Sequence, residues 1–185
     1  RMVIQLRKRN RLGMYSILLL IPMVFSSCGG SASIYNKLPS QRAEVAECVI
    51  LIHGLGRTYR SMWDMEERLR EAGYHTVNVD YPSRKKTIEE IVGDYVPEAI
   101  EECQIYNAEA IHFVTHSLGG IITRKVIKDS RPELLGKVVM LSPPNKGSSI
   151  VDALKGRWYY RWINGPAGQQ LTTYADSLPN TLGPV

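Results

Sequence analysis

Four short apolar segments, separated by stretches with helical periodicity, set the strongest limit on how this chain can fold. We predict strands at 48–53, 75–79, 110–115 and 137–142. The first is the continuous apolar run Cys48-Val-Ile-Leu-Ile-His53, which is typical of a strand covered on both faces of a parallel sheet. Repeated strand–helix–strand units imply a parallel sheet with right-handed crossovers. The predicted fold class is therefore α/β, a parallel sheet with helices on both faces.

The segments between these strands carry helix signals. Apolar residues recur at helical spacing from Ser61 to Ala72, and Gly73 can end that helix. Thr87-Ile-Glu-Glu90 is a capping-box pattern and predicts that a second helix begins there. Pro97 should bend or split that helix, because proline lacks a backbone N–H. We predict a further helix at 118–128.

The N-terminal residues have the pattern of an export signal. A basic stretch precedes an apolar run at 14–25 that is too short to span a bilayer, and the small residues Ser26 and Ser27 follow it. The segment Phe25-Ser-Ser-Cys28 is similar to a bacterial lipobox, which implies that Cys28 is acylated after cleavage. The alternatives are an ordinary cleaved signal with Cys28 incidental, or an uncleaved anchor.

These features predict three regions and a location. Residues 1–27 are the signal peptide, and 28–46 form a tether. Residues 47–185 form a partial α/β domain, in which 150–185 is lid-like or irregular. We expect an exported protein that is membrane-anchored as a lipoprotein, or periplasmic.

The net charge of +5 does not indicate a nucleic-acid partner. Five of the 23 Lys and Arg residues lie within the first 11 positions, and residues 1–27 contain no Asp or Glu. The other 18 basic residues match the 18 acidic residues, so the remainder of the chain is formally neutral. The basic character therefore belongs to the export signal, and we expect no nucleic-acid binding.

Ser117 is the residue in the sequence most suited to nucleophilic chemistry. Thr115-His-Ser-Leu-Gly-Gly120 follows an apolar strand and opens a helix, which is the context that a nucleophile elbow requires. The helix N-terminus offers free N–H groups to a developing oxyanion. Gly119 allows the helix to approach the sheet, and His116 shapes the turn. Thr115 stands where the usual Gly-x-Ser-x-Gly pattern has its first glycine.

A second glycine-rich turn follows the first strand. In His53-Gly-Leu-Gly56, the glycines Gly54 and Gly56 let the backbone turn its N–H groups inward. We predict that the Leu55 N–H and the Leu118 N–H form an oxyanion hole, and that His53 shapes the loop.

Together these blocks resemble a known family. Leu51-Ile-His-Gly-Leu-Gly56, Thr115-His-Ser-Leu-Gly-Gly120 and Leu141-Ser-Pro-Pro-Asn-Lys-Gly-Ser148 resemble the bacterial lipase and esterase branch of the α/β-hydrolase superfamily, over roughly residues 47 to 150. The resemblance implies hydrolysis of carboxylic esters, often of lipids, through an acyl-enzyme at Ser117. It also implies a Ser-His-acid triad and no metal or organic cofactor.

The sequence departs from the family pattern at the triad. The four histidines, His53, His75, His112 and His116, all precede Ser117, whereas the family base follows the nucleophile. Asp129, Asp152 and Asp176 follow it, but none ends a recognisable strand. Two explanations compete: an incomplete fold whose base and acid lie beyond Val185, which we favour because only four strands are visible, or a degenerate and inactive homologue.

These observations predict a serine carboxylic-ester hydrolase acting on an acyl ester or lipid. The alternatives are an acyltransferase, or a truncated or catalytically dead lipoprotein that binds lipid or protein. Arg157-Trp-Tyr-Tyr-Arg-Trp162 is either a lid facing lipid or a helix that packs its aromatics on the core. For Cys48 and Cys103 we prefer buried free thiols to a disulfide.

Overall fold

A parallel four-stranded sheet forms the centre of the molecule. The computed structural model describes residues 46–183. Four strands occur within that range, in the order β2-β1-β3-β4, and every neighbouring pair is parallel. Their bounds are β1 Glu47–Ile52, β2 His75–Val79, β3 Ala110–His116 and β4 Leu135–Leu141. The predicted signal peptide, Cys28 and all but the last residue of the predicted tether lie outside the described residues.

Helices occupy the connections between the strands and much of the C-terminal part of the chain. A 3-10 turn at Tyr59–Met62 leads into the first helix. None of the described helices is both long and apolar enough to span a bilayer. The helices are α1 Trp63–Glu71, α2 Ile88–Asp94, α3 Val96–Ile105, α4 Leu118–Ser130, α5 Ser149–Leu154, α6 Trp158–Gln169 and α7 Leu178–Thr181.

Local sequence signals set the ends of the second and third helices. The Thr87 side chain accepts a hydrogen bond from the Glu90 N–H, and the Glu90 carboxylate accepts one from the Thr87 N–H, so the predicted capping box is present. Tyr95 interrupts the helical run, and Pro97 stands in the first turn of the helix that follows. The proline is tolerated there because the first N–H groups of a helix have no partner inside it. The predicted split is thus confirmed.

The sheet has helices on both faces, which confirms the predicted fold class. One face packs against α2, α3 and α4, and the other packs against the segment that includes α1. Strand β1 is buried from Cys48 to Ile52. Such burial explains its unbroken apolar sequence, because neither face of the strand meets water.

Strand β4 has a different environment from the other three. It forms one edge of the described sheet, and its Val139 and Leu141 side chains are 49% and 39% exposed. Its alternation of exposed and partly buried residues contrasts with the buried run of β1.

The segment after β4 is largely helical, and its backbone carbonyls are bound by α4. Within the segment, Asp152 accepts hydrogen bonds from the N–H and the hydroxyl of Thr173. Arg124 of α4 is buried and donates to the carbonyl oxygens of Asn145, Leu182 and Gly183. Its burial lowers the pKa of the Arg124 guanidinium.

A disulfide joins Cys48 of β1 to Cys103 of α3, so our preference for free thiols was wrong. The two Cα atoms are 5.7 Å apart, and both residues are fully buried. That separation lies within the range that a disulfide requires. The sequence could not indicate this, because the two residues are 55 positions apart and meet only when α3 packs on the sheet.

Removing this disulfide should lower stability. In the double variant Cys48→Ala/Cys103→Ala, we expect the free energy of unfolding to fall by about 2–4 kcal/mol, because the unfolded chain regains the freedom of a long loop. Urea unfolding measures the change. As a direct check in a Cys28→Ser background, an alkylating thiol reagent under denaturing conditions should modify no cysteine before reduction and two after it. Two modified thiols without reductant would contradict the assignment.

Candidate active site

Ser117 lies on a sharp turn between β3 and α4. Its backbone has φ 50° and ψ −114°, a strained conformation that non-glycine residues seldom adopt. The turn is held from the neighbouring strand, because the Ser117 N–H donates to the Leu141 carbonyl at 2.8 Å. The backbone therefore reverses between a buried strand and a helix, as the sequence predicts for residue 117.

The turn needs glycine on its helical side. A Cβ on Gly119 would overlap the carbonyl oxygen of Ile52 at the end of β1. A Cβ on Gly120 would come 2.8 Å from the Pro143 side chain, in the turn after β4. Helix α4 can begin close to the sheet only because both positions lack a side chain.

The glycine-rich turn after β1 lies beside Ser117. A Cβ on Gly54 would be 3.3 Å from the Ser117 Cβ and 2.7 Å from Nδ1 of His116. The two turns that sequence analysis selected, 53–56 and 115–120, are therefore in direct contact. The His116 ring lies across Gly54, so that glycine leaves room for the imidazole.

Two backbone amides near Ser117 are available to a ligand. Within residues 46–183, neither the Leu55 N–H nor the Leu118 N–H donates to a protein acceptor. Leu118 is the first residue of α4, where N–H groups lack an intrahelical partner and the helix dipole favours negative charge. The residues that follow Gly54 and Ser117 in the two contacting turns therefore each carry an unpaired donor.

His53 is built into the loop as a neutral, buried side chain. Its ring stacks on Tyr81 with a centroid separation of 4.0 Å, and the Tyr81 hydroxyl donates to the His53 carbonyl at 2.5 Å. The His53 Nδ1 is 2.9 Å from the Gly54 carbonyl, so Nδ1 carries the proton. Nε2 is buried and has no partner among the described residues. Burial lowers the pKa of His53 and raises that of Tyr81.

His75 and His112 lie away from Ser117. His75 begins β2 and lies 3.8 Å from Glu102, and His112 lies 3.4 Å from Glu47 at the start of β1. Both pairs are therefore near the amino ends of the strands, whereas Ser117 follows the carboxyl end of β3. No described histidine forms a hydrogen bond with Ser117.

The three aspartates that follow the serine are not arranged as triad acids. Asp129 pairs with Lys125 on α4, and Asp152 binds Thr173. Asp176 is exposed in the turn before α7. Among residues 46–183, no group of three or more His, Cys, Asp or Glu is placed to hold a metal ion.

Sequence analysis missed two residues that hold the loop. Tyr81 supports His53 as described, and Ser83 accepts a hydrogen bond from the Gly56 N–H at 2.9 Å. Both lie in the turn Asp80-Tyr-Pro-Ser83 after β2. The sequence signal that could have identified them is their position directly after β2, because the turns at the carboxyl ends of neighbouring parallel strands lie close together.

The family assignment follows from a comparison with known proteins. The sequence profile of the alpha/beta hydrolase family matches residues 49–184, well over half of the chain. The chain belongs to the alpha/beta hydrolase family. The match covers both glycine-rich turns, strands β2 to β4 and most of β1, as the resemblance drawn from the sequence predicts. No curated protein matches the chain.

Solved structures of bacterial and archaeal hydrolases share the fold of this alpha/beta hydrolase. Bacillus licheniformis lipase BlEst2 in mature form is 20% identical, with a TM-score of 0.59 over 72% of this chain and 57% of that chain. Phospholipase PlaB from Legionella pneumophila is 21% identical, with a TM-score of 0.55 over 71% and 34%. A carboxylesterase of Nitrososphaera gargenis is 17% identical, with a TM-score of 0.51 over 64% and 44%. The matched region thus spans 57%, 34% and 44% of the lengths of these three proteins.

The aromatic segment of this alpha/beta hydrolase is divided between the core and the surface. Tyr160 of α6 is buried, whereas Trp158 and Trp162 are 79% and 82% exposed. The helix bends at Gly165, which has φ 63°, and continues to Gln169. Its second part lies on the loop after β1, because a Cβ on Gly168 would be 3.0 Å from Cδ2 of Leu55.

Acid should destabilise the fold through His53. Because the folded-state pKa is lowered, the unfolded chain binds more protons below its own pKa, about 6.5. The free energy of unfolding should therefore fall as pH drops below about 6.5, by up to about 1.4 kcal/mol per pH unit. In His53→Phe, which keeps an aromatic ring against Tyr81, this contribution to the slope should vanish. Urea unfolding at pH 5.5, 6.5 and 7.5 measures it, and equal slopes in both proteins would contradict the assignment.

Proposed function

We propose that the chain carries the nucleophile and oxyanion site of a serine carboxylic-ester hydrolase. The single observation that carries the proposal is the placement of Ser117 on a positive-φ turn in contact with Gly54, with unpaired amides on the next residues, Leu118 and Leu55. Membership of the alpha/beta hydrolase family and the likeness of the fold to lipases and esterases support it.

The chemistry follows from this geometry. The Ser117 oxygen attacks the carbonyl carbon of the ester, and the electron pair of the C=O bond moves to oxygen. The N–H groups of Leu55 and Leu118 hold that oxyanion, which collapses to release the alcohol and leave an acyl-enzyme. Water then attacks the acyl carbon and releases the acid and Ser117.

The proton of the serine hydroxyl must also leave. No described side chain accepts it, and loss of one triad member lowers turnover by about 10⁴- to 10⁶-fold in serine proteases. This observation favours a second candidate, a catalytically silent member that binds lipid or a protein. Transfer of the acyl group to an alcohol or amine uses the same first step, and product analysis with a competing alcohol separates it from hydrolysis.

Replacing Ser117 should abolish covalent labelling. A fluorophosphonate probe should modify the product of the complete gene, and Ser117→Ala should remove the modification because the attacking oxygen is lost. Ser142→Ala is the matched control, since Ser142 also has positive φ and follows the carboxyl end of the neighbouring strand. Mass spectrometry locates the adduct. Equal labelling of Ser117→Ala and the unmodified protein would refute the proposal.

We further propose that the ester is a lipid or carries an apolar acyl chain. The exposed indoles of Trp158 and Trp162 lie one turn apart on α6, and Ile163 is also exposed. The exposed cations Lys155 and Arg157 stand at the start of this helix. Indole rings flanked by cations suit the boundary between headgroups and acyl chains. The fold-level neighbours include a lipase and a phospholipase.

An exported location is part of the same proposal. The basic and apolar N-terminal segment has the pattern of a signal peptide, and Cys28 has the position of a lipidated residue. The disulfide between Cys48 and Cys103 supports export, because such bonds persist in oxidising compartments.

The exposed indoles should contribute to lipid binding. The double variant Trp158→Ala/Trp162→Ala should bind vesicles of phosphatidylcholine and phosphatidylglycerol at least about ten-fold more weakly, because two interfacial aromatic side chains are removed. Trp63→Ala is the matched control, since Trp63 is an exposed tryptophan on α1. Co-sedimentation of protein lacking residues 1–27 and carrying Cys28→Ser measures binding without the lipid anchor. An equal loss in Trp63→Ala, or no loss in the double variant, would contradict this role.

A further inference from the structure

A cleft with three cations that are unpaired among the described residues borders the turn after β1 at Gly56 and Arg57. It encloses about 420 Å³ between the turn after β1 and the turn after β2. We call it the basic cleft and define it by the lining residues Arg57, Thr58, Ser83, Arg84 and Lys85. Because β1 and β2 are parallel neighbours, the cleft lies at the carboxyl ends of these strands, where ligands of such folds bind.

The walls of the basic cleft are fixed by the backbone. The Gly56 N–H donates to the Ser83 hydroxyl at 2.9 Å, which joins the two turns. Gly165 of α6 leaves room for the Arg84 carbonyl, and the Ala167 N–H donates to the Lys86 carbonyl at 3.1 Å. The cleft is therefore held on one side by the turn at 53–56 and on another by α6.

Its positive charge is not neutralised within the described part of the chain. Arg57, Arg84 and Lys85 form no ion pair or side-chain hydrogen bond with residues 46–183, whereas the adjacent Lys86 is paired with Asp94. One carboxylate, that of Asp80, also lines the cleft. The Arg84 guanidinium rests on Gly56, where a Cβ would be 2.6 Å from Nη2. Ser83 is buried, and its hydroxyl hydrogen has no acceptor among these residues.

This donor set fits phosphate. Arginine presents planar pairs of N–H groups that match phosphate oxygens, and a lysine and a hydroxyl add further donors. Gly56 is two residues from Gly54, the glycine that contacts Ser117, so their Cα atoms are at most about 7 Å apart. That separation is similar to the length of a glycerol unit, which joins an ester to a phosphate in a phospholipid.

We propose that the basic cleft binds a phosphate group in the alcohol portion of the ester, which makes phosphate-bearing esters such as phospholipids the favoured substrates. The assignment of this phosphate to a substrate rests on the proposed ester hydrolase function. The binding of phosphate by the cleft does not, and can be measured separately.

The binding test uses the Ser117→Ala protein, which cannot turn over an ester. Inorganic phosphate and glycerol 3-phosphate are titrated in solution, and vesicles with or without phosphatidylglycerol are tested by co-sedimentation. Arg84→Gln and Arg57→Gln should each weaken phosphate binding by about ten-fold or more, because a charge-assisted hydrogen-bonding group is lost. Arg131→Gln is the matched control, since Arg131 is an exposed arginine outside the cleft.

Each outcome decides the proposal. Weaker binding of the soluble phosphates in the cleft variants alone supports it, with free phosphate groups as ligands. Weaker binding of anionic vesicles alone supports it with a lipid headgroup as the source. No binding of any probe, or equal losses in Arg131→Gln, overturns it. Thermal unfolding verifies that the variants fold.

A kinetic test separates this proposal from the catalytic one. With the complete gene product, Arg84→Gln should lower the preference for a phosphate-bearing ester over a neutral ester of the same acyl chain. The control Arg131→Gln, outside the cleft, should leave this preference unchanged. An unchanged preference overturns the substrate assignment. Failure of the unmodified protein to hydrolyse either ester refutes the proposed function, while phosphate binding is still decided by the titrations.

Discussion

The contact between the first turn of α4 and the end of β1 is the constraint on which the rest of the site depends. Gly119 lies against the Ile52 carbonyl, where any side chain would overlap it. With the helix held this near, the chain between β3 and α4 has room for a single strained residue, Ser117. The same approach brings Gly54 into contact with the serine. Two absent side chains thus determine where the hydroxyl and its neighbouring amides lie.

A second layer of contacts keeps the loop after β1 in place. His53 is neutral and stacked on Tyr81, Gly56 is bound to Ser83, and Leu55 is covered by α6. These contacts come from two separate parts of the chain, the turn after β2 and α6, so the loop backbone is restrained from more than one direction. Preorganised donors favour an oxyanion because they need not rotate when charge develops. In the proposed hydrolase, the buried Tyr81 and His53 therefore assist oxyanion binding by holding the loop backbone in one orientation.

The elements that local sequence determines were predicted well. The apolar run of β1, the capping box at Thr87 and the interruption before Pro97 each depend on a few adjacent residues, and the structure has them. The turn at Ser117 was predicted because strand, small residues and helix occur in succession. What could not be predicted depends on distant residues meeting. The Cys48–Cys103 disulfide, the contact of Arg84 with Gly56, and the three carbonyls bound by Arg124 have no local pattern.

The positions of the four histidines separate two parts of the proposed chemistry, stabilisation of the oxyanion and removal of the serine proton. His112 precedes Ser117 by five residues along β3, about 16 Å at the usual rise per residue, and it faces Glu47 instead. His75 begins a strand whose carboxyl end faces the site, so it is as remote. His53 is committed to its stack with Tyr81, and His116 lies across Gly54. In the proposed hydrolase, charge stabilisation comes from the glycine-rich turns, and no described histidine is hydrogen-bonded to Ser117 as its base.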